Sequence, residues 1–144
     1  MSVGMPAPGE ACNCVLLAER NPALTEGVRG LLAAVFDAVV MVADETSLME
    51  SAARLRPALA VVNLSLAPGG APGWLARLRA RCPDLRIVVL SAYDEPAVRE
   101  LAMAAGGAFV LSRAIATDLL PAVEAVLGGS RYGSPPRADP TLPA

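Results

Sequence analysis

Asn63, at the end of the apolar run Ala58-Leu59-Ala60-Val61-Val62, is a polar side chain where a buried strand gives way to the loop Ala67-Pro68-Gly69-Gly70. Glu19-Arg20, Ser91 and Ser112 stand likewise at the ends of three other short apolar runs. In an open parallel sheet such strand ends share one edge, where chemistry collects. A carboxylate, a guanidinium, an amide and two hydroxyls could bind a metal, hold an anion or recognise a small polar ligand. The missing residue types narrow this further. All 12 basic residues are arginine, with no histidine and no lysine. This excludes a histidine general base, a Ser-His-Asp triad, a Schiff-base lysine and a phosphate-loop lysine, so most enzyme classes are disfavoured.

Cys12, Cys14 and Cys82 form neither an even disulfide framework nor, without histidine, a metal cluster. The expectation is free thiols, with Cys14 and Cys82 packed as small hydrophobes; a redox role for the Cys-x-Cys pair is the alternative. Arg77, Arg79 and Arg81 read as a solvated helix face rather than a phosphate site. At 144 residues the chain is one domain, and 54% hydrophobic with only 3% aromatic residues implies a core of Ala, Val, Leu and Ile. A net charge of -2 gives no electrostatic footprint for nucleic acid or an anionic membrane. There is no basic leader and no apolar run of membrane-spanning length, so the expectation is a soluble, cytoplasmic protein.

The elements that must position these residues alternate. Strands are expected at Cys14–Ala18, Ala38–Ala43, Ala58–Leu64, Ile87–Leu90 and Ala108–Leu111. The first helix takes Asn21 as its N-cap and Pro22 as its first residue, with Leu24, Val28, Leu31, Leu32 and Val35 inward. Ser47 and Glu50 form a capping box for the second, with Leu48, Ala52 and Leu55 inward and Pro57 ending it. The third runs from about Gly73 to Arg81, with Leu75, Leu78 and Cys82 on one face. Asp94 or Glu95 caps the fourth, whose face is Val98, Leu101, Ala102 and Ala105, and Gly106 stops it. Thr117 caps the fifth, with Leu119, Leu120, Val123 and Val126 inward. Five strands alternating with five helices imply an α/β fold with one parallel sheet covered on both faces. Residues 1–11 read as a disordered tail, 12–129 as the folded domain and 130–144 as a Pro-rich tail.

The segments Leu16-Leu17-Ala18-Glu19-Arg20-Asn21-Pro22, Leu55-Arg56-Pro57 through Leu64, Val88-Val89-Leu90-Ser91-Ala92 and Ala105-Gly106-Gly107-Ala108-Phe109-Val110-Leu111 resemble the receiver domain of bacterial two-component response regulators. The likeness is greatest to the branch with a helix-turn-helix output, and Gly128–Pro135 resembles the start of that branch's linker. It covers about Cys14 to Gly129 and implies the flavodoxin-like (CheY-like) strand order 2-1-3-4-5. In that family an acidic pair and an acceptor Asp hold Mg²⁺ and take up a phosphoryl group, while a hydroxyl and a lysine stabilise the incoming charge. Carried over residue by residue, the acidic pair is Glu19-Arg20, the acceptor is Asn63, the hydroxyl is Ser91 and the lysine is Ser112. An amide is neither nucleophilic nor charged, so the resemblance implies a receiver that is not phosphorylated, with Mg²⁺ binding weak or absent and no other cofactor. The loop after Asn63 also departs from the pattern, with Ala67 where the family usually has Pro.

Arg20 could pair with Glu19 or Asn63 and stand in for the metal, or turn to solvent. Phe109 falls at the family's switch aromatic, coupled there to the hydroxyl at Ser91; otherwise it is a half-buried strand aromatic. The implied action is through protein contacts: a regulator, kinase or output protein, or a homodimer across the fourth helix, fifth strand and fifth helix. Glu95, Arg99, Glu100, Arg113, Asp118 and Glu124 would rim that face. A regulator binding a small molecule in the degenerate cleft is the alternative.

Overall fold

Short β-branched and leucine-rich runs, each closed by a polar or proline-bearing loop, become strands because both faces of such a run can be buried at once. In the computed structural model, residues 12–63, 71–105 and 107–133 are described. They form β1 (Cys12–Ala18), α1 (Pro22–Ala33), β2 (Ala38–Val42), α2 (Glu45–Leu55), β3 (Pro57–Asn63), α3 (Ala71–Arg81), β4 (Arg86–Ser91), α4 (Pro96–Ala105), β5 (Ala108–Leu111), a 3-10 turn (Ser112–Ala114), α5 (Ile115–Leu127) and β6 (Tyr132–Gly133). All pairings are parallel, in the order β2-β1-β3-β4-β5-β6. The expected 2-1-3-4-5 order is therefore present, with a sixth strand added at the β5 edge.

Alternation along each strand divides the core in two. Leu16, Ala60, Val62, Ile87, Val89 and Phe109 pack with Leu48, Leu75, Leu78 and Ala102 of α2, α3 and α4. Val15, Leu17, Leu59, Val61, Val88, Leu90 and Val110 pack with Val28 and Leu32 of α1 and with Leu119, Ala122, Val123 and Val126 of α5. A one-residue slip would exchange these two sets, so the register is strongly fixed.

Asn21 caps α1 as expected, its side chain accepting from the Ala23 and Leu24 amides, with Pro22 at the first position. Val35 does not point inward. The helix ends at Ala33, leaving Val35 41% exposed while Phe36 takes the buried place. The Ser47/Glu50 capping box is not formed either. Asp44, extended at φ -150, caps α2 by accepting from the Ser47 amide at 2.7 Å, which places Ser47 inside the first turn. Arg56 ends that helix in the left-handed region, at φ 49. Thr117 is not the N-cap of α5. The helix grows directly out of the 3-10 turn at Ile115, and the Thr117 hydroxyl instead donates to the Ala114 carbonyl. Met49 is buried without having been foreseen.

Cys14 is buried and disulfide-bonded, so the expectation of free thiols fails there, while Cys82 is a free thiol, half-buried. The Pro-rich segment expected from residue 130 onward begins with ordered chain, Tyr132-Gly133 pairing with Ala108-Phe109. The loop 64–70, Gly106, and residues 1–11 and 134–144 lie outside the described residues. No helix among the described residues is long and apolar enough to cross a membrane.

Candidate functional site

The chain leaves β1 for β2 on one side and later returns as β3 on the other, so the carboxyl ends of β1 and β3 flank the point where the connections diverge. Register carries the site from there. Ala18 lies opposite Val62, so Glu19 and Asn63 emerge side by side. Asn63 lies opposite Leu90, putting Ser91 one step beyond, and Ser91 lies opposite Leu111, putting Ser112 one step beyond that. Four of the five expected cleft residues thus follow one sheet edge because four short strands stop at one level.

Glu19 and Asn63 are 6% and 8% exposed, and they meet: the Asn63 Nδ2 donates to Glu19 Oε1 at 2.6 Å. The other carboxylate oxygen, Oε2, accepts from the backbone N–H groups of Arg20 and Asn21, each at 3.0 Å. A buried carboxylate is costly unless its oxygens are satisfied, and these three donors satisfy both. Asn21 thereby joins the site to α1, since its backbone N–H serves Glu19 while its side chain caps the helix.

Arg20 contacts Glu19 through its backbone alone. Its side chain is exposed and its charge acts on Asp44, whose carboxyl is held below the usual range first by hydrogen bonding from the Ser47 amide and further by Arg20. The pairing of the Arg20 guanidinium with Glu19 or Asn63 is not what the structure shows. The Asn63 amide holds Glu19 Oε1 instead.

Ser91 is buried, but its hydroxyl is committed to its own turn, donating to the Tyr93 carbonyl at 2.8 Å and accepting from the Tyr93 N–H at 3.1 Å. Ser112 is half-buried and opens the 3-10 turn, its carbonyl accepting from the Ile115 N–H. Phe109 is fully buried rather than half-buried. The Arg99 guanidinium stacks over its ring at 4.6 Å and is fixed by Asp94 at 2.9 Å. That Asp94–Arg99–Phe109 stack links the loop begun by Ser91 to the middle of β5. It was not foreseen, since a spacing of five between Asp94 and Arg99 matches no helical pair.

The expected rim of the α4, β5 and α5 face is only partly a rim. Glu95, Glu100, Arg113 and Glu124 are exposed, but Arg99 is engaged inward and Asp118 is 9% exposed. Tyr132 of β6 bonds to Asp118 through its hydroxyl, and burial together with that carboxylate pushes the phenol pKa up. Arg77 is exposed, as expected of a solvated helix face, and pairs there with Glu45 of α2 at 2.6 Å. Among the described residues no group of three or more His, Cys, Asp or Glu converges. The donor set at the cleft is one carboxylate whose oxygens already accept from protein N–H groups.

No protein-family model and no curated protein matches the chain. Solved structures do. The RcsB response regulator of Salmonella typhimurium is similar at 23% identity and TM-score 0.75, over 88% of this chain and 65% of that one, so this chain spans under two thirds of its length. A LuxR-family two-component response regulator from Aurantimonas sp. SI85-9A1 is similar at 23% identity and TM-score 0.76, over 87% of this chain and 91% of that one. The signal receiver domain of the putative response regulator NarL from Mycobacterium tuberculosis is similar at 23% identity and TM-score 0.69, over 83% and 99%. The chain has the fold of the response-regulator receiver domain.

Proposed function

We propose that this chain is a receiver module of two-component signalling that works without phosphorylation, through protein contacts rather than catalysis. The observation that carries the reading is the 2.6 Å hydrogen bond from the Asn63 amide to the buried Glu19 carboxylate. Where a receiver needs an acidic pair and a nucleophilic carboxylate around a divalent cation, this cleft holds one carboxylate whose oxygens are already taken up by amide donors. A magnesium ion keeps near-ideal octahedral oxygen geometry and dehydrates reluctantly. It would have to strip Asn63 and two backbone N–H groups from Glu19 with Arg20 alongside, so these residues do not fit the ion, and weak or absent Mg²⁺ binding follows. An amide nitrogen, its lone pair delocalised, does not attack phosphorus, and no acyl phosphate forms at Asn63.

Signalling through this module then rests on its surface. The exposed residues Glu95, Glu100, Arg113 and Glu124 give the α4, β5 and α5 face a mixed-sign rim, suited to a protein partner or an isologous second copy. With a net charge of -2, direct nucleic-acid or membrane binding by this domain is not part of the reading. The alternative of a small ligand in the cleft loses support from the same geometry, since Glu19 and Asn63 bond to each other and the Ser91 hydroxyl is spent on Tyr93.

Acetyl phosphate with Mg²⁺ followed by intact-mass measurement tests the reading. Unchanged mass is expected, and a labile phosphoryl adduct overturns it.

A further inference from the structure

After α5 the chain turns through Gly128 and Gly129, the latter at φ +88, and comes back along the outer edge of the sheet. Tyr132 lies opposite Ala108 and Gly133 opposite Phe109. The Tyr132 N–H donates to the Gly107 carbonyl at 2.7 Å, and the Tyr132 hydroxyl reaches the buried carboxylate of Asp118. Gly133 sits beneath Arg99. A Cβ there would come within 2.8 Å of Arg99 Nη1. Arg99 is a flexible side chain in principle, but here it is held by Asp94 at 2.9 Å and lies over the Phe109 ring at 4.6 Å.

The seat is therefore selective at two consecutive positions. The first takes a phenol that can donate to Asp118, and the second takes a residue with no side chain. It is also shallow: β6 is two residues long, and both are only half-buried. Strands this short, with little buried surface, open at a small fraction of the global unfolding free energy.

We propose that the groove along β5 between α4 and α5 is a strand-accepting surface, which the chain's own Tyr132-Gly133 occupies as a reversible strap. Main-chain bonding to an exposed sheet edge supplies affinity, and the side-chain seats supply specificity. While the strap is docked, the β5 edge is closed to any other extended segment; when it opens, the edge accepts an extended peptide with an aromatic hydroxyl followed by glycine. The docking does not depend on the chemistry of the cleft, so it stands or falls separately from the reading above.

Residue-resolved hydrogen exchange on the full chain tests the strap. The amide of residue 132 is expected to be protected about tenfold or more over the unstructured rate. It should lose that protection in Tyr132→Ala and in Gly133→Val, while strands β1, β3 and β4 keep theirs. A synthetic peptide with the sequence of residues 129–134 should shift the resonances of Gly107, Phe109 and Asp118 in the Tyr132→Ala chain and leave the unmodified chain unchanged. An unprotected amide at 132 in the unmodified chain, or protection surviving in both variants, overturns the strap. A peptide that shifts both chains alike, or neither, overturns the accepting groove.

Discussion

Replacing Asn63 by Asp restores the atom a receiver would need, and the structure says what it costs. The substitution removes a 2.6 Å hydrogen bond to a carboxylate, and bonds to charged groups contribute about 1.5–3 kcal/mol. It also sets a second carboxylate against Glu19. At roughly 4 Å and an effective dielectric of about 20, two such charges repel by about 4 kcal/mol, which is worth about three pKa units. The introduced carboxyl escapes by keeping its proton, because a protonated carboxyl can donate to Glu19 as the amide does. Its folded pKa is thus raised above the unfolded value of about 4. Above that pH the folded state binds more protons than the unfolded state until the introduced carboxyl ionises, so stability falls as pH rises.

Asn63→Asp should therefore lie within about 1 kcal/mol of the unmodified protein near pH 4 and fall about 4 kcal/mol below it by pH 8. Urea unfolding of both proteins across that range measures the difference. Magnesium should recover part of the loss in the variant, where it would bring two carboxylates together, and should leave the unmodified protein unchanged. Equal stability of the two proteins at pH 8 without metal would refute the reasoning, because it would mean the side chains at 19 and 63 do not face each other.

Glu19→Ala leaves the Asn63 amide and two backbone N–H groups without their acceptor and should cost about 3–5 kcal/mol in urea unfolding. Arg20→Ala, altering an exposed side chain, should change stability by under about 0.5 kcal/mol in the same assay; a loss of 2 kcal/mol would show the guanidinium working inside the cleft. Phe109→Ala empties a fully buried ring position and removes the face on which Arg99 stacks, for about 3–5 kcal/mol and a clear drop in melting temperature. Asn21→Ala loses the α1 cap but keeps the backbone N–H to Glu19, so the expected cost is only about 1 kcal/mol.

The sheet was legible in the sequence because apolar runs such as Ala58–Val62 and Ile87–Leu90 are too short for helices and lie between proline, glycine or polar residues. Their ends followed, and with them the positions of Glu19, Asn63, Ser91 and Ser112. What was not legible depends on three-dimensional competition. Asp44 outcompetes Ser47 as a cap because an extended Asp one residue before the helix already reaches the Ser47 amide. Whether Arg20 or Asn63 would satisfy Glu19 is decided by strand register, since the facing pair Ala18 and Val62 brings the amide alongside. The partners of Arg99 and Asp118 lie on other elements, Phe109 and Tyr132, and no local periodicity announces them. β6 was not legible because Tyr132-Gly133, between Arg131 and Ser134, is too short to carry a pattern of its own.

The bond between Asn63 and Glu19 can be observed directly by following the Asn63 side-chain amide in ¹⁵N NMR during a magnesium titration. One of its protons should be shifted downfield and slow to exchange, as befits a donor to a buried carboxylate, and it should stay unmoved at millimolar Mg²⁺. An amide that exchanges at the solvent-exposed rate, or that moves together with Glu19 as the metal saturates a site, would contradict the account.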